Sequence, residues 1–186
     1  MRKGKKGFTL AEILIVVAVI AVLVAISIPV FSKLVEKSRE AYDIYTMRQA
    51  ASAAIDLFYA GVNDAESAKN NGLTWWPGAA SDRDNAAGAY DPRSGSFYAK
   101  RQDVKPYGKG TAVNGGTRFV LGNETGAYAP DQDYRNAVVM VAIYPNADPA
   151  RVDVYWKVNV GNNSPYVGGQ RSGGNAPKYC ITIPLG

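Results

Sequence analysis

Histidine is absent from all 186 residues, and cysteine occurs once, at Cys180. The first absence removes the usual general base and the usual zinc ligand. The second makes an intrachain disulfide impossible. The chain has no Gly-x-Ser-x-Gly elbow, no P-loop, no Cys-x-x-Cys pair and no internal repeat. No catalytic constellation is left, so these absences point to a structural protein with no cofactor and not to an enzyme. The basic balance is smaller than it looks. Net charge is +5, but four of the 21 lysines and arginines (Arg2, Lys3, Lys5, Lys6) stand in the first seven residues, leaving 17 bases against 16 acids. A nearly neutral remainder gives no reason to expect a specific nucleic-acid partner.

What is present is concentrated at the N-terminus. After the four cations come Gly7, Phe8, Thr9, Leu10, Ala11 and Glu12, then an unbroken apolar run from Ile13 to Ile26, extended by Ser27, Ile28, Pro29, Val30 and Phe31. Phe8 to Phe31 as one helix is roughly 36 Å long, enough to cross a bilayer core. The leader cations orient such a segment with its N-terminus on the cytoplasmic side. A secretory signal peptide has the same basic start, and Ala25-Ile26-Ser27 has the form of its cleavage site. Glu12 argues against it. A carboxylate inside a membrane segment costs about 2.5–3.5 kcal/mol and needs a cation. A leader lysine reaching back is one source. Cleavage after Gly7 is another: Phe8 then carries a free α-amine one helical turn before Glu12, at the positive end of the helix dipole.

Gly7-Phe8-Thr9-Leu10-Ala11-Glu12, between a basic leader and a long apolar run, resembles the class III signal of type IV pilins and pseudopilins. The resemblance covers residues 1–31 closely. It implies cleavage between Gly7 and Phe8 by a prepilin peptidase, N-methylation of Phe8, and pairing of Glu12 with the N-terminal amine of an adjacent subunit. It also implies storage in the cytoplasmic (inner) membrane as a single-pass protein, an inner-membrane assembly platform, and polymerisation with other pilin subunits into a surface filament. A pseudopilin of a type II secretion or competence DNA-uptake system is the alternative. Pro29 falls where these proteins carry a helix-bending proline; by itself it is equally a tolerated kink, the point where the helix leaves the membrane, or a bend for packing. Many pilins close a C-terminal loop with a disulfide. The single Cys180 departs from that pattern and leaves sheet packing, or a bound ion, to secure the C-terminal region.

The fold predicted is α+β, with a long N-terminal helix packed by its second half on an antiparallel sheet. Residues 1–7 are leader, 8–31 the transmembrane and assembly helix, 32–61 an amphipathic continuation, and 62–186 the head. Gly61 is the predicted stop. Leu34, Ala41, Tyr45, Ile55 and Tyr59 share one side and should dock on the sheet, with Lys33, Glu36, Arg39, Glu40 and Asp43 mostly turned away and paired along the helix. The aromatics Phe31, Tyr42, Tyr45, Phe58 and Tyr59 are read as packing residues. Residues 62–95 read as a polar connection, with a short helix starting at Asn63-Asp64-Ala65-Glu66, an aromatic turn at Trp75-Trp76-Pro77-Gly78, and solvated acids at Asp82, Asp84 and Asp91 beside Asn85. The Asp82-x-Asp84 spacing lacks the glycine and distal glutamate of a calcium loop, so no metal is expected. Strands are expected at 96–100, 117–121, 137–144, 151–160 and 179–183, the third and fourth joined as a hairpin through Pro145–Pro149. In the fourth, Val152, Val154, Trp156, Val158 and Val160 should face the helix. Lys100, Arg101, Lys105 and Lys109 form a modest basic cluster, read as a solvated loop. Gly161–Pro177 reads as a surface excursion, and Asn123-Glu124-Thr125 and Asn162-Asn163-Ser164 are formal glycosylation sequons.

Overall fold

A computed structural model of the chain describes residues 7–112, 126–159, 165–172, 174 and 176–186. The strand expected at 117–121, Val160 and both sequons lie outside these residues. Helix α1 spans Leu10–Tyr59, 50 residues, and passes through Pro29. It ends where the sequence places the stop. Ala60 is the C-cap, Gly61 turns into the left-handed region at φ +96°, and the Gly61 and Val62 N–H groups donate to Phe58 O and Leu57 O at 3.0 and 3.1 Å. This pairing of crossed bonds satisfies carbonyls that the helix itself leaves open, and it buries Val62 against the core.

Helix α2 follows at Ala65–Asn70. Its N-cap is Asp64, one residue later than expected, with Ser67 and not Glu66 closing the box: Ser67 N–H donates to Asp64 Oδ1 at 2.8 Å. The antiparallel sheet has six strands: β1 Thr74–Trp76, β2 Asn85–Asp91, β3 Ser96–Tyr98, β4 Ala137–Tyr144, β5 Ala150–Val158 and β6 Ile181–Leu185. The path runs β1-β2-β4-β5-β6. β3 shares with β1 the edge of β2 away from β4, β1 pairing along residues 85–87 and β3 along 89–91. The β4–β5 hairpin forms as predicted, in register from Ala137↔Val158 to Tyr144↔Arg151. β6 begins at Ile181, two residues later than expected. It carries an exposed Pro184 opposite Arg151.

Two expectations for 62–95 are corrected. Trp75 and Trp76 stand in a strand and not in a turn; Trp75 packs on the core while Trp76 is 59% exposed. Asn85 to Asp91 is not a polar loop but an interior strand of the sheet. Its alanines and glycine have low strand propensity, yet pairing on both edges fixes them. Asp84, meanwhile, accepts the Gly78 N–H at 2.7 Å.

α1 lies on β4 and β5. The core joins Met47, Ala50 and Ala54 of the helix to Val139, Val141, Val152, Val154, Trp156 and Ile181 of the sheet. The docked side of α1 is therefore opposite to the one predicted. Leu34, Tyr45 and Tyr59 are exposed, at 57%, 57% and 68%, whereas Glu36, Glu40 and Asp43 are buried at 1%, 1% and 0%. At about 100° per residue, Glu36, Asp43, Met47, Ala50 and Ala54 form one stripe roughly half a turn from Leu34 and Tyr45. Alanine lets the helix axis approach the sheet closely, so the bulky residues are left outside.

The acids at the start of that stripe serve as acceptors for a crossing loop. Lys109 N–H and Gly110 N–H donate to Asp43 Oδ1 and Oδ2 at 2.8 and 2.7 Å, and Tyr128 Oη donates to Oδ2 at 3.0 Å. The Thr111 backbone N–H donates to Glu36 Oε1, and its hydroxyl to Oε2 at 2.7 Å. Three successive amides of an irregular segment are thus satisfied by carboxylates, where a neutral acceptor would bind them more weakly. Arg39 pairs with Glu36 at 3.3 Å. The loop sits tightly: a Cβ at Gly108 would run into the Tyr134 carbonyl oxygen, and one at Gly110 into Tyr128 Oη. Tyr128 cannot yield, because its ring stacks on Tyr134 at 4.3 Å, and Tyr134 meets Trp156 edge-on at 5.3 Å.

Burial pushes the Asp43 carboxyl up to about 6, against the lowering effect of the amides of Gly110 and Lys109, Tyr128 Oη and the Lys109 charge. A folded-state value above the unfolded one near 3.8 means that the group's contribution is complete below about pH 3.8 and lost as pH rises through 6. In detergent, the difference in unfolding free energy between the native chain and Asp43→Asn should shift by about 2 kcal/mol between pH 4 and pH 7, in the sense of weakening the native chain. Parallel stability curves would contradict the assignment. Gly108→Ala should destabilise the head by about 1–3 kcal/mol, read as a lower midpoint of thermal unfolding.

Candidate functional site: the processing and assembly segment

Thr9 is the N-cap of α1, extended at φ −81° and ψ 153°. Glu12, at the third helical position, completes a capping box. Thr9 N–H and Oγ1 donate to Glu12 Oε2 at 2.8 and 3.0 Å, and Glu12 N–H donates to Thr9 Oγ1 at 3.3 Å. The box was legible as Thr-x-x-Glu ahead of an apolar run, a signal that reading Glu12 only as a membrane acid passes over. It starts the helix at Leu10 and keeps Gly7 and Phe8 outside it. Phe8 is 86% exposed, and nothing lies within 4 Å of a Cβ placed on Gly7. The Gly7–Phe8 bond is thus reachable and free of helical hydrogen bonds. Glu12 is exposed beside it, its carboxylate held by its own chain.

The first half of α1 packs on nothing. An 18-residue window there has mean hydropathy 3.2, and none of it is buried. Ile13, Leu14, Ile15 and Val16 are each more than half exposed, as are Ile26, Ile28 and Phe31. A contiguous surface of this size in water would drive association, so it belongs in lipid or against other helices. Near Pro29, Ser27 Oγ donates to Leu23 O at 2.7 Å and not to the Ala25 carbonyl that the proline leaves without a partner. Ser32 Oγ lies 3.2 and 3.1 Å from Ile28 O and Pro29 O.

The other groups singled out in the sequence are not brought to this segment. Lys109 approaches the exposed Tyr42 ring, its Nζ 5.9 Å from the centroid, whereas Lys100 and Arg101 lie on the far face of the sheet, so the basic cluster is divided. Cys180 is buried, and burial pushes its thiol up to about 12. Among the described residues no three acidic or thiol side chains are placed to share a metal ion.

Residues 2–28 match the family model described as the prokaryotic N-terminal methylation motif. No curated protein matches the chain, and no solved structure does. The motif implies processing by prepilin peptidase and assembly with other pilins, and with the long apolar helix it indicates membrane anchoring. Motif and fold together suggest a structural protein. An exposed Gly7–Phe8 bond, a capped Glu12 and a membrane-length helix joined to an antiparallel head therefore carry the class III prepilin signal of the type IV pilin and pseudopilin family.

Proposed function

We propose that the chain is a structural subunit of a type IV pilus. It waits in the cytoplasmic membrane, loses residues 1–7, is methylated on Phe8, and joins other copies through the apolar half of α1 to form a surface filament. The observation that carries this reading is the wholly unpacked apolar helix half attached to a head with a complete core of its own. Such a chain has to leave its apolar surface in lipid or bury it between subunits.

Glu12 supplies register in this scheme. Its carboxylate is held at the helix start by Thr9, in reach of a newly made amine on a neighbouring chain. A buried unpaired carboxylate costs several kcal/mol, and a paired one is tolerated, so subunits seat only where the pair forms. The second half of α1 supports the same reading. Leu34, Val35, Tyr42 and Tyr45 lie on the side turned from the sheet, 37–57% exposed, where neighbouring subunits would cover them. Pro29 stands between the two halves, the natural place for the helix to bend or loosen as it packs.

Mass spectrometry of the native polypeptide should find N-methyl-Phe8 as the first residue; a chain that retains Met1–Gly7, or that starts near Ile28, would refute the reading. Glu12→Ala as sole subunit should still insert and be processed but should yield at least about tenfold fewer filaments by electron microscopy. Abundant normal filaments would exclude the register role. Long filaments that disappear on deletion separate a pilus from the short rod of a pseudopilin.

A further inference from the structure

The sheet face turned away from α1 carries a groove that takes no part in anchoring. Alternation places Met140, Ala142 and Tyr144 of β4 and Arg151, Asp153, Tyr155 and Lys157 of β5 on this face. Two depressions lie side by side there. One, of about 490 Å³, is lined by Arg151, Asp153, Arg171 and Thr182 among others. The other, of about 470 Å³, lies over the small floor of Ala87 and Ala142 and is lined by Trp76, Asn85, Lys100, Arg101 and Lys157. Tyr144, Tyr155 and Tyr166 belong to the walls of both, so the two form one groove. Tyr166 reaches it because residues 165–167 lie along β5, with Val158 N–H donating to Pro165 O at 3.0 Å and Val167 N–H to Trp156 O at 3.1 Å.

Among the described residues the lining is strongly one-signed: Lys100, Arg101, Arg151, Lys157 and Arg171 against Asp153. Two of the cations are fixed on aromatic rings, Arg151 over Tyr144 at 4.1 Å and Lys157 over Tyr166 at 5.0 Å. Cations held this way face a ligand with little freedom left to lose. The same contacts cover one face of Tyr144 and one of Tyr166, leaving fewer ring faces for stacked bases. Asp153 Oδ1 is buried with no hydrogen-bond partner, while Oδ2 lies 3.7 Å from Arg151 Nε. Trp76 adds an exposed ring at the other end.

The ligand that fits is anionic, long enough to run through both depressions, and able to lay rings on aromatic side chains. We propose that the groove binds an acidic polysaccharide of the uronic acid type, with its carboxylates on the arginines and lysines and its sugar rings against the tyrosine walls and Trp76. Carboxylate on arginine is a charge-assisted, geometrically matched contact, and the exposed Trp76 ring offers the apolar face on which a sugar ring lies.

The test uses the processed full-length chain in detergent, with polygalacturonate, neutral dextran and oligo-dT as probes. Polygalacturonate should bind, weakening as salt rises, and dextran should not. Lys100→Glu with Arg171→Glu, both at exposed positions, should cut polygalacturonate affinity at least about tenfold. Lys69→Glu with Lys105→Glu, the same charge change at exposed sites outside the groove, should change it less than about twofold. Trp76→Ala, at a second exposed position, should lose about three- to tenfold. Thermal unfolding of each variant checks that the head is intact. Equal losses in the two charge-reversal pairs, tighter binding of oligo-dT than of polygalacturonate, or no binding of polygalacturonate would each overturn the proposal.

Discussion

One helix has to satisfy two surroundings, and everything else follows from that constraint. The first half of α1 offers water nothing but hydrocarbon, while the second half must hold a folded head. Backbone hydrogen bonding, interrupted at Pro29, carries one helix through both halves. A change at one end is therefore transmitted as a change of direction at the other, and the head is positioned by the same element that enters the membrane. Pro29 is the one residue inside α1 that cannot donate a backbone hydrogen bond, and it stands at the junction of the two halves.

The joint between helix and head is polar where polarity would not be looked for. Glu36 and Asp43 are taken out of water by the docking, and the cost is offset by amides of residues 109–111, which would otherwise be buried without acceptors. Carboxylates gain from accepting several N–H groups, and a loop gains a fixed course. Below them the stripe changes to Met47, Ala50 and Ala54, where only close approach is required. A polar clamp at the upper end and a small-residue seam at the lower end set both the rotation and the depth of the helix on the sheet.

This division explains what could and could not be read in advance. The methylation motif at residues 2–28 was legible because its signal is local, and the β4–β5 hairpin because Val152, Val154 and Trp156 alternate so regularly. The docked side of α1 was not, because apolar periodicity gives weight to Leu34 and Tyr45, and nothing in a charge pattern distinguishes an acid facing solvent from one facing three backbone amides. β2 was hidden for a related reason. Asn85-Ala86-Ala87-Gly88-Ala89 has no intrinsic reason to be extended, and the strand exists because β4 on one edge and β1 and β3 on the other complete its bonds. The outer groove is also non-local, since Trp76, Lys100, Tyr144 and Arg171 meet only through the sheet order.

Pro184 in β6 has a further consequence. β6 closes one end of the sheet path, and β1, three residues long, closes the other. An imide nitrogen in a five-residue border strand interrupts the row of donors that an incoming strand would need. A head crowded against its own copies at high local concentration would otherwise be exposed to cross-β stacking from the side. With both borders blunted, lateral growth is denied, and any ordered contact between copies has to be made by side chains.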